Sequence, residues 1–127
     1  MRNYYAKPKR NDPEHQIQVS LFDWMFIHKN KYRGLDLAYS TASGLRLPIG
    51  LRVKACKAGI IKKGLPDVVI PAARRGYHGL YIELKSEDGT TSKDQIEFIR
   101  RLNEENYLAV VCYSFKEVTS KIEWYFS

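Results

Sequence analysis

Asp67, Glu83 and Lys85 are the residues of this chain whose types and spacing could do chemistry. Asp67 follows Gly64-Leu65-Pro66 and opens the apolar run Val68-Val69-Ile70, while Glu83 and Lys85 close the run Leu80-Tyr81-Ile82-Glu83-Leu84-Lys85. If both runs are strands, alternation turns Glu83 and Lys85 to one face, roughly 7 Å apart along the backbone, with Leu84 on the other. Two carboxylates, a backbone oxygen such as the Leu84 carbonyl, and several waters are what Mg²⁺ accepts beside a phosphate. Lys85 would then neighbour an attacking water, where its charge favours hydroxide and the negative charge developing on the phosphate. The letters alone also fit a solvated strand face with an i,i+2 Glu/Lys pair after an ordinary Pro-Asp turn. Context argues for a site, because both runs are too apolar to be solvated and each places a charged residue near its end.

Composition limits what such a site could act on. The 127 residues are 44% hydrophobic, enough for one core and too few for two. We therefore expect one domain over residues 11–127, preceded by a basic arm at residues 1–10 that carries Lys7, Lys9 and Arg10 beside Tyr4 and Tyr5. Twenty-one Lys and Arg against fourteen Asp and Glu leave a net charge of +7, which favours a polyanionic partner, with nucleic acid first. Two cysteines make neither a disulfide framework nor a zinc site. With no apolar leader segment and no run long enough to span a bilayer, the expected compartment is the cytosol.

The elements that must position the site follow from caps and periodicity. Asp12-Pro13-Glu14 starts a helix running to about Lys29, with Ile17, Leu21, Trp24 and Met25 inward and Glu14 and Gln18 on the same stripe. Inward polar groups need partners, although Glu14 in a first helical turn also suits the helix dipole. Residues 37–40 suit a short strand before the loop Thr41-Ala42-Ser43-Gly44. A second helix over 48–58 stops at Gly59 and carries Arg52, Lys54 and Lys57; Lys62 and Lys63 follow it toward Gly64. Strands 67–71 and 80–85 flank a loop containing Arg74 and Arg75, and pair antiparallel. Ser92 and Gln95 form a capping box for a third helix, whose face also carries Ile99 and Leu102. Residues 108–113 read as a buried strand reached by a parallel crossover, and Ser114 with Glu117 caps a last helix to about Tyr125. Singly, each basic residue suits a solvated face; together Arg52, Lys54, Lys57, Lys62, Lys63, Arg74 and Arg75 are candidate phosphate contacts.

Placed in order, these pieces resemble the restriction-endonuclease-like core of the PD-(D/E)xK nucleases, and more narrowly the VRR-NUC family in small stand-alone form. The resemblance runs from about Glu14 to Ile122. It is carried by Glu14 and Gln18 on the first helix, by Gly59 to Asp67, by Glu83-Leu84-Lys85, and by Gly89, Ser92 and Gln95. Relatives end the third helix with a glycine, where Asn106 here is expected to take the left-handed cap. The resemblance implies an α/β fold with a mixed four-stranded sheet flanked by helices. It implies hydrolysis of DNA dependent on Mg²⁺ or Mn²⁺, with Asp67, Glu83 and the Leu84 carbonyl on the metal. Lys85 would assist the water, and Glu14 and Gln95 would shape the site. It further implies a homodimer acting on branched DNA such as four-way junctions.

Two other readings compete. A catalytically silent nucleic-acid-binding domain would keep the fold and basic surface but lose a catalytic residue, and none is lost here. A flap- or nick-processing nuclease would use the same site as a monomer. His15, His28 and His78 lie in separate segments without paired ligand spacing, which argues against a histidine-metal nuclease. A symmetric junction needs two opposed cuts and a chain this short offers one site, so a junction enzyme requires two copies about a two-fold axis. Trp24, Phe26 and Ile27, and Trp124, Tyr125 and Phe126, are the apolar clusters available for that interface or for the core.

Overall fold

Helix α1 (Pro13–His28) begins as its cap predicts: Asp12 accepts the His15 backbone N–H at 3.0 Å and proline occupies the first turn. The computed structural model describes residues 12–127, so the basic arm expected at residues 1–10 lies outside the described residues. After α1 come strand β1 (Tyr39–Ser40), helix α2 (Ile49–Lys57), strands β2 (Val68–Ile70) and β3 (Leu80–Leu84), helix α3 (Lys93–Glu104), strand β4 (Leu108–Cys112) and helix α4 (Phe115–Phe126). The sheet runs in the order β1-β2-β3-β4, antiparallel until the last pair, which is parallel. This is the mixed four-stranded sheet of a restriction-endonuclease-like core.

Alternation divides the sheet into two faces. Val68 and Ile70 on β2, Leu80, Ile82 and Leu84 on β3, and Cys112 on β4 point into the core, where Leu21 and Met25 of α1 and Val118, Ile122 and Tyr125 of α4 meet them. Each fully buried Leu or Ile there contributes about 1.5–3 kcal/mol. Glu83 and Ala109 point to the opposite face, which α3 covers. Gln95 reaches Glu83, and the Asn103 amide bridges both backbone groups of Ala109, accepting its N–H at 3.0 Å and donating to its carbonyl at 3.2 Å. The Ser92–Gln95 capping box closes in both directions, and Asn106 takes the expected left-handed turn at φ 65°.

Two local expectations are corrected, and one left open is decided. Leu37 belongs to a 3-10 turn (Leu35–Leu37) rather than to β1, because Gly34 at φ 97° turns the chain and the Ala38 N–H bonds back to Leu35. The cap of α4 is only half a box: Ser114 accepts the Glu117 N–H at 3.1 Å, and Glu117 returns no bond. Of the two roles open to it, Tyr125 takes the core, fully buried with its hydroxyl donating to the Ala72 carbonyl at 2.6 Å. Phe26 and Ile27 stay exposed, as does much of Trp124. Among the described residues no helix is long and apolar enough to cross a membrane.

Candidate active site

The hairpin register brings the carboxylates together. Val68 pairs with Ile82, so one step outward Asp67 stands opposite Glu83 at the open end of the β2–β3 ladder. Asp67 Oδ2 accepts the Leu84 backbone N–H at 2.8 Å, which fixes the Leu84 peptide against the carboxylate, and Oδ1 accepts the Ser43 hydroxyl at 3.2 Å. Glu83 Oε1 accepts Gln95 Nε2 at 2.9 Å and lies 3.5 Å from Lys85 Nζ. Glu83 and Lys85 are only 3% and 9% exposed, which rules out the solvated strand face the letters alone allowed.

Burial here is electrostatically unfinished. Desolvation pushes the Glu83 carboxyl up to about 8; the neighbouring Asp67 adds to the rise, and Lys85 opposes it without cancelling it. Among the described residues Glu83 Oε2 is buried without a hydrogen-bond partner. An orphaned carboxylate oxygen beside a second carboxylate costs several kcal/mol to ionise unless a cation joins it. The donor set is all oxygen, which suits a hard divalent cation. Among the described residues no group of three or more His, Cys, Asp or Glu side chains gathers at one point. Two carboxylates with backbone oxygen, water and phosphate completing the shell is the arrangement that Mg²⁺ prefers.

Glu14 reaches the same region from α1. Its Oε1 accepts the Ser86 N–H at 3.4 Å, and with Gln18, Thr41, Asp67 and Leu84 it lines a cleft of about 240 Å³ beside the carboxylate pair. Glu14 therefore borders the site without joining the Asp67–Glu83 pair. Gln95 has two functions at once: its Oε1 caps α3 by accepting the Ser92 N–H at 2.9 Å while its Nε2 holds Glu83. Gly64 makes that helix end accessible. At φ 82° it occupies the left-handed region, and a Cβ there would stand 2.3 Å from the Asp94 carbonyl oxygen and 2.9 Å from the Gln95 nitrogen. Gly64→Ala is therefore expected to push α3 off the Pro66-Asp67 turn and to cost at least about 1–3 kcal/mol. Thermal denaturation checks this, with a wild-type midpoint counting against it.

The candidate phosphate contacts fall into two groups. Arg52, Lys54 and Lys57 are exposed on α2, and Lys62 and Lys63 are exposed on the approach to Gly64, leading into the Asp67 end of the hairpin. Lys63 makes only a surface pair with Asp94 at 3.7 Å, which is weak enough to exchange for phosphate. Arg74 and Arg75 stand apart from these: they lie past the far end of β2, at the opposite end of the hairpin from Asp67. Arg75 donates to the Trp124 carbonyl at 2.8 Å and to the Ser127 hydroxyl at 2.7 Å, and Arg74 donates to the Arg33 carbonyl at 2.5 Å, so both tie down α4 and the turn after α1. Sequence reasoning missed the Thr41–Ser43 hydroxyl pair beside Asp67, since two hydroxyls in a short loop carry no metal-ligand signature.

The VRR-NUC domain model matches residues 12–116, most of the chain. A solved structure described as a VRR_NUC domain protein superposes with a TM-score of 0.71 at 29% sequence identity, covering 91% of this chain and 89% of that one. No curated protein matches.

Proposed function

The chain belongs to the VRR-NUC family, and from that premise we propose that it is a Mg²⁺- or Mn²⁺-dependent endonuclease that hydrolyses phosphodiester bonds in branched DNA, four-way junctions above all. The observation that carries this is the pairing of half-buried Asp67 with buried Glu83, whose Oε2 has no hydrogen-bond partner among the described residues. Asp67, Glu83 and the Leu84 carbonyl would hold the ion, which supplies Lewis-acid stabilisation of the phosphate under attack. Gln95 keeps the Glu83 carboxylate oriented from one side. Lys85, anchored beside Glu83, offers a fixed ammonium to the negative charge that develops as water adds to phosphorus. Glu14 borders the cleft through which the strand would pass. A catalytically silent domain has no use for a carboxylate held unsatisfied in this way.

DNA would be held by Arg52, Lys54, Lys57, Lys62 and Lys63. Neutralising one genuine contact is expected to reduce the log–log salt slope of binding by about one, with little change in sequence preference. Arg74 and Arg75, at the other end of the hairpin and bonded to carbonyls of Arg33 and Trp124, are expected to contribute less, so that their neutralisation leaves the slope in place.

A homodimer follows from the two opposed cuts, with exposed Phe26, Ile27 and Trp124 available for contact. The test is incubation with linear, nicked, flap and four-way-junction DNA, with and without Mg²⁺ or Mn²⁺, alongside sedimentation at micromolar concentration. Metal-dependent paired incision of junctions by a dimer is the expected result. A monomer that cuts flaps or nicks instead would retain the chemistry and remove the junction assignment.

A further inference from the structure

We propose that Ser43, supported by Thr41, is a positioning residue for Asp67 and, through it, for the divalent cation; the inference rests on the nuclease reading above. The Asp67 carboxylate carries one donor on each oxygen: the Ser43 hydroxyl at 3.2 Å on Oδ1 and the Leu84 N–H at 2.8 Å on Oδ2. Two donors on opposite oxygens fix the plane of the carboxylate. Neither donor is charged, so the negative charge that a cation needs is left intact.

Ser43 is itself held. Thr41 Oγ1 lies 2.9 Å from Ser43 Oγ and 2.7 Å from the Pro66 carbonyl oxygen, and the Thr41 N–H donates to the Asp67 carbonyl at 2.8 Å. Three oxygen contacts share only two hydroxyl protons. The carboxylate is the strongest acceptor among them and takes the Ser43 proton. The Thr41 proton then goes either to the Pro66 carbonyl or to a Ser43 lone pair; both arrangements leave the Ser43 O–H aimed at Asp67, and the second also engages the Ser43 oxygen as an acceptor. The loop approaches Asp67 closely enough that a Cβ on Gly44 would stand 3.8 Å from Oδ1. Because β1 pairs with β2 through only two residues, these hydroxyl bonds are a substantial part of what registers the loop on the Asp67 turn.

Outer partners of metal-binding carboxylates typically alter metal affinity 10–100-fold when removed. Mn²⁺ binding to the DNA-free protein, followed by the electron-paramagnetic signal of free ion, is therefore expected to weaken about tenfold or more in Ser43→Ala and to be retained in Ser43→Thr. Cleavage by Ser43→Ala should recover toward the wild-type turnover as Mn²⁺ is raised, separating an effect on metal affinity from one on turnover. A purely structural role would lower the melting temperature without moving the Mn²⁺ affinity of the folded protein. Thr41→Val keeps the Ser43 hydroxyl but removes its support, so an intermediate loss is expected. If Ser43→Ala does not fold, wild-type Mn²⁺ affinity in Thr41→Val overturns the proposal. Equal Mn²⁺ affinity in wild type and folded Ser43→Ala overturns the positioning role alone. Failure of the wild-type protein to bind Mn²⁺ overturns the metal reading together with it.

Discussion

Asp67→Asn, Glu83→Gln and Lys85→Ala are each expected to reduce cleavage by at least about 10²–10³-fold while leaving DNA affinity near wild type. The physical reason is a division of labour. On the proposed assignment, affinity would come from the exposed cations on α2 and the approach to Gly64, whereas Asp67, Glu83 and Lys85 are half-buried or buried and contribute little to the field outside the site. Asp67 and Glu83 are expected to act as one unit, so Asp67→Asn combined with Glu83→Gln should be no slower than either alone. Gln95→Ala should fall short of these losses, because it frees Glu83 Oε1 without removing a carboxylate. Single-turnover cleavage of a labelled junction, with binding measured in parallel in Ca²⁺, distinguishes chemistry from affinity. Substantial turnover by Asp67→Asn in Mg²⁺ would falsify the assignment of the metal site.

The second large effect is on pH dependence. In the unfolded chain Glu83 releases its proton near the ordinary 4.5; in the folded, metal-free protein burial and Asp67 hold that proton until about 8. Between those values the folded state binds one more proton than the unfolded, so the Glu83 contribution to stability is complete below pH 4.5, falls as pH rises, and is lost by about pH 8. A divalent cation competes for the same oxygens. Its apparent affinity should therefore rise up to about tenfold per pH unit on the acid side of 8 and level off above it, with close to one proton released per ion bound near neutrality. Thermal melts in chelator and calorimetric Mn²⁺ titrations in buffers of different ionisation heat measure the two halves of this linkage. Glu83→Gln should flatten its share of both and stabilise the metal-free protein at alkaline pH, since it removes the charge that burial penalises. Mn²⁺ affinity that does not change between pH 6 and 8 would show that Glu83 does not both bind the ion and hold its proton to about 8.

Short-range rules were enough to determine most of the elements and the facing of the candidate site residues. A cap acts on the N–H groups of its own first turn, so Asp12, Ser92 and Ser114 could be recognised as helix starts from neighbouring letters. Strand alternation depends only on the pleat, so Glu83 and Lys85 had to share a face wherever the strand lay. The left-handed Asn106 follows from the same local geometry. What the sequence did not determine depends on contacts between segments distant in the chain. Charge and proximity in sequence grouped Arg74 and Arg75 with the other basic residues, but the hairpin carries them to its opposite end, where the carbonyls of Trp124 and Arg33 claim them. Tyr125 lies among aromatics that could equally serve an interface, and only the folded core, which buries its ring and offers its hydroxyl the Ala72 carbonyl, makes it core. Ser43 acquires its place beside Asp67 from the pairing of β1 with β2, across 24 residues of chain. The raised proton affinity of Glu83 is likewise a property of the folded interior, because desolvation and the Asp67 charge reach it only when the two strands close and α3 covers them.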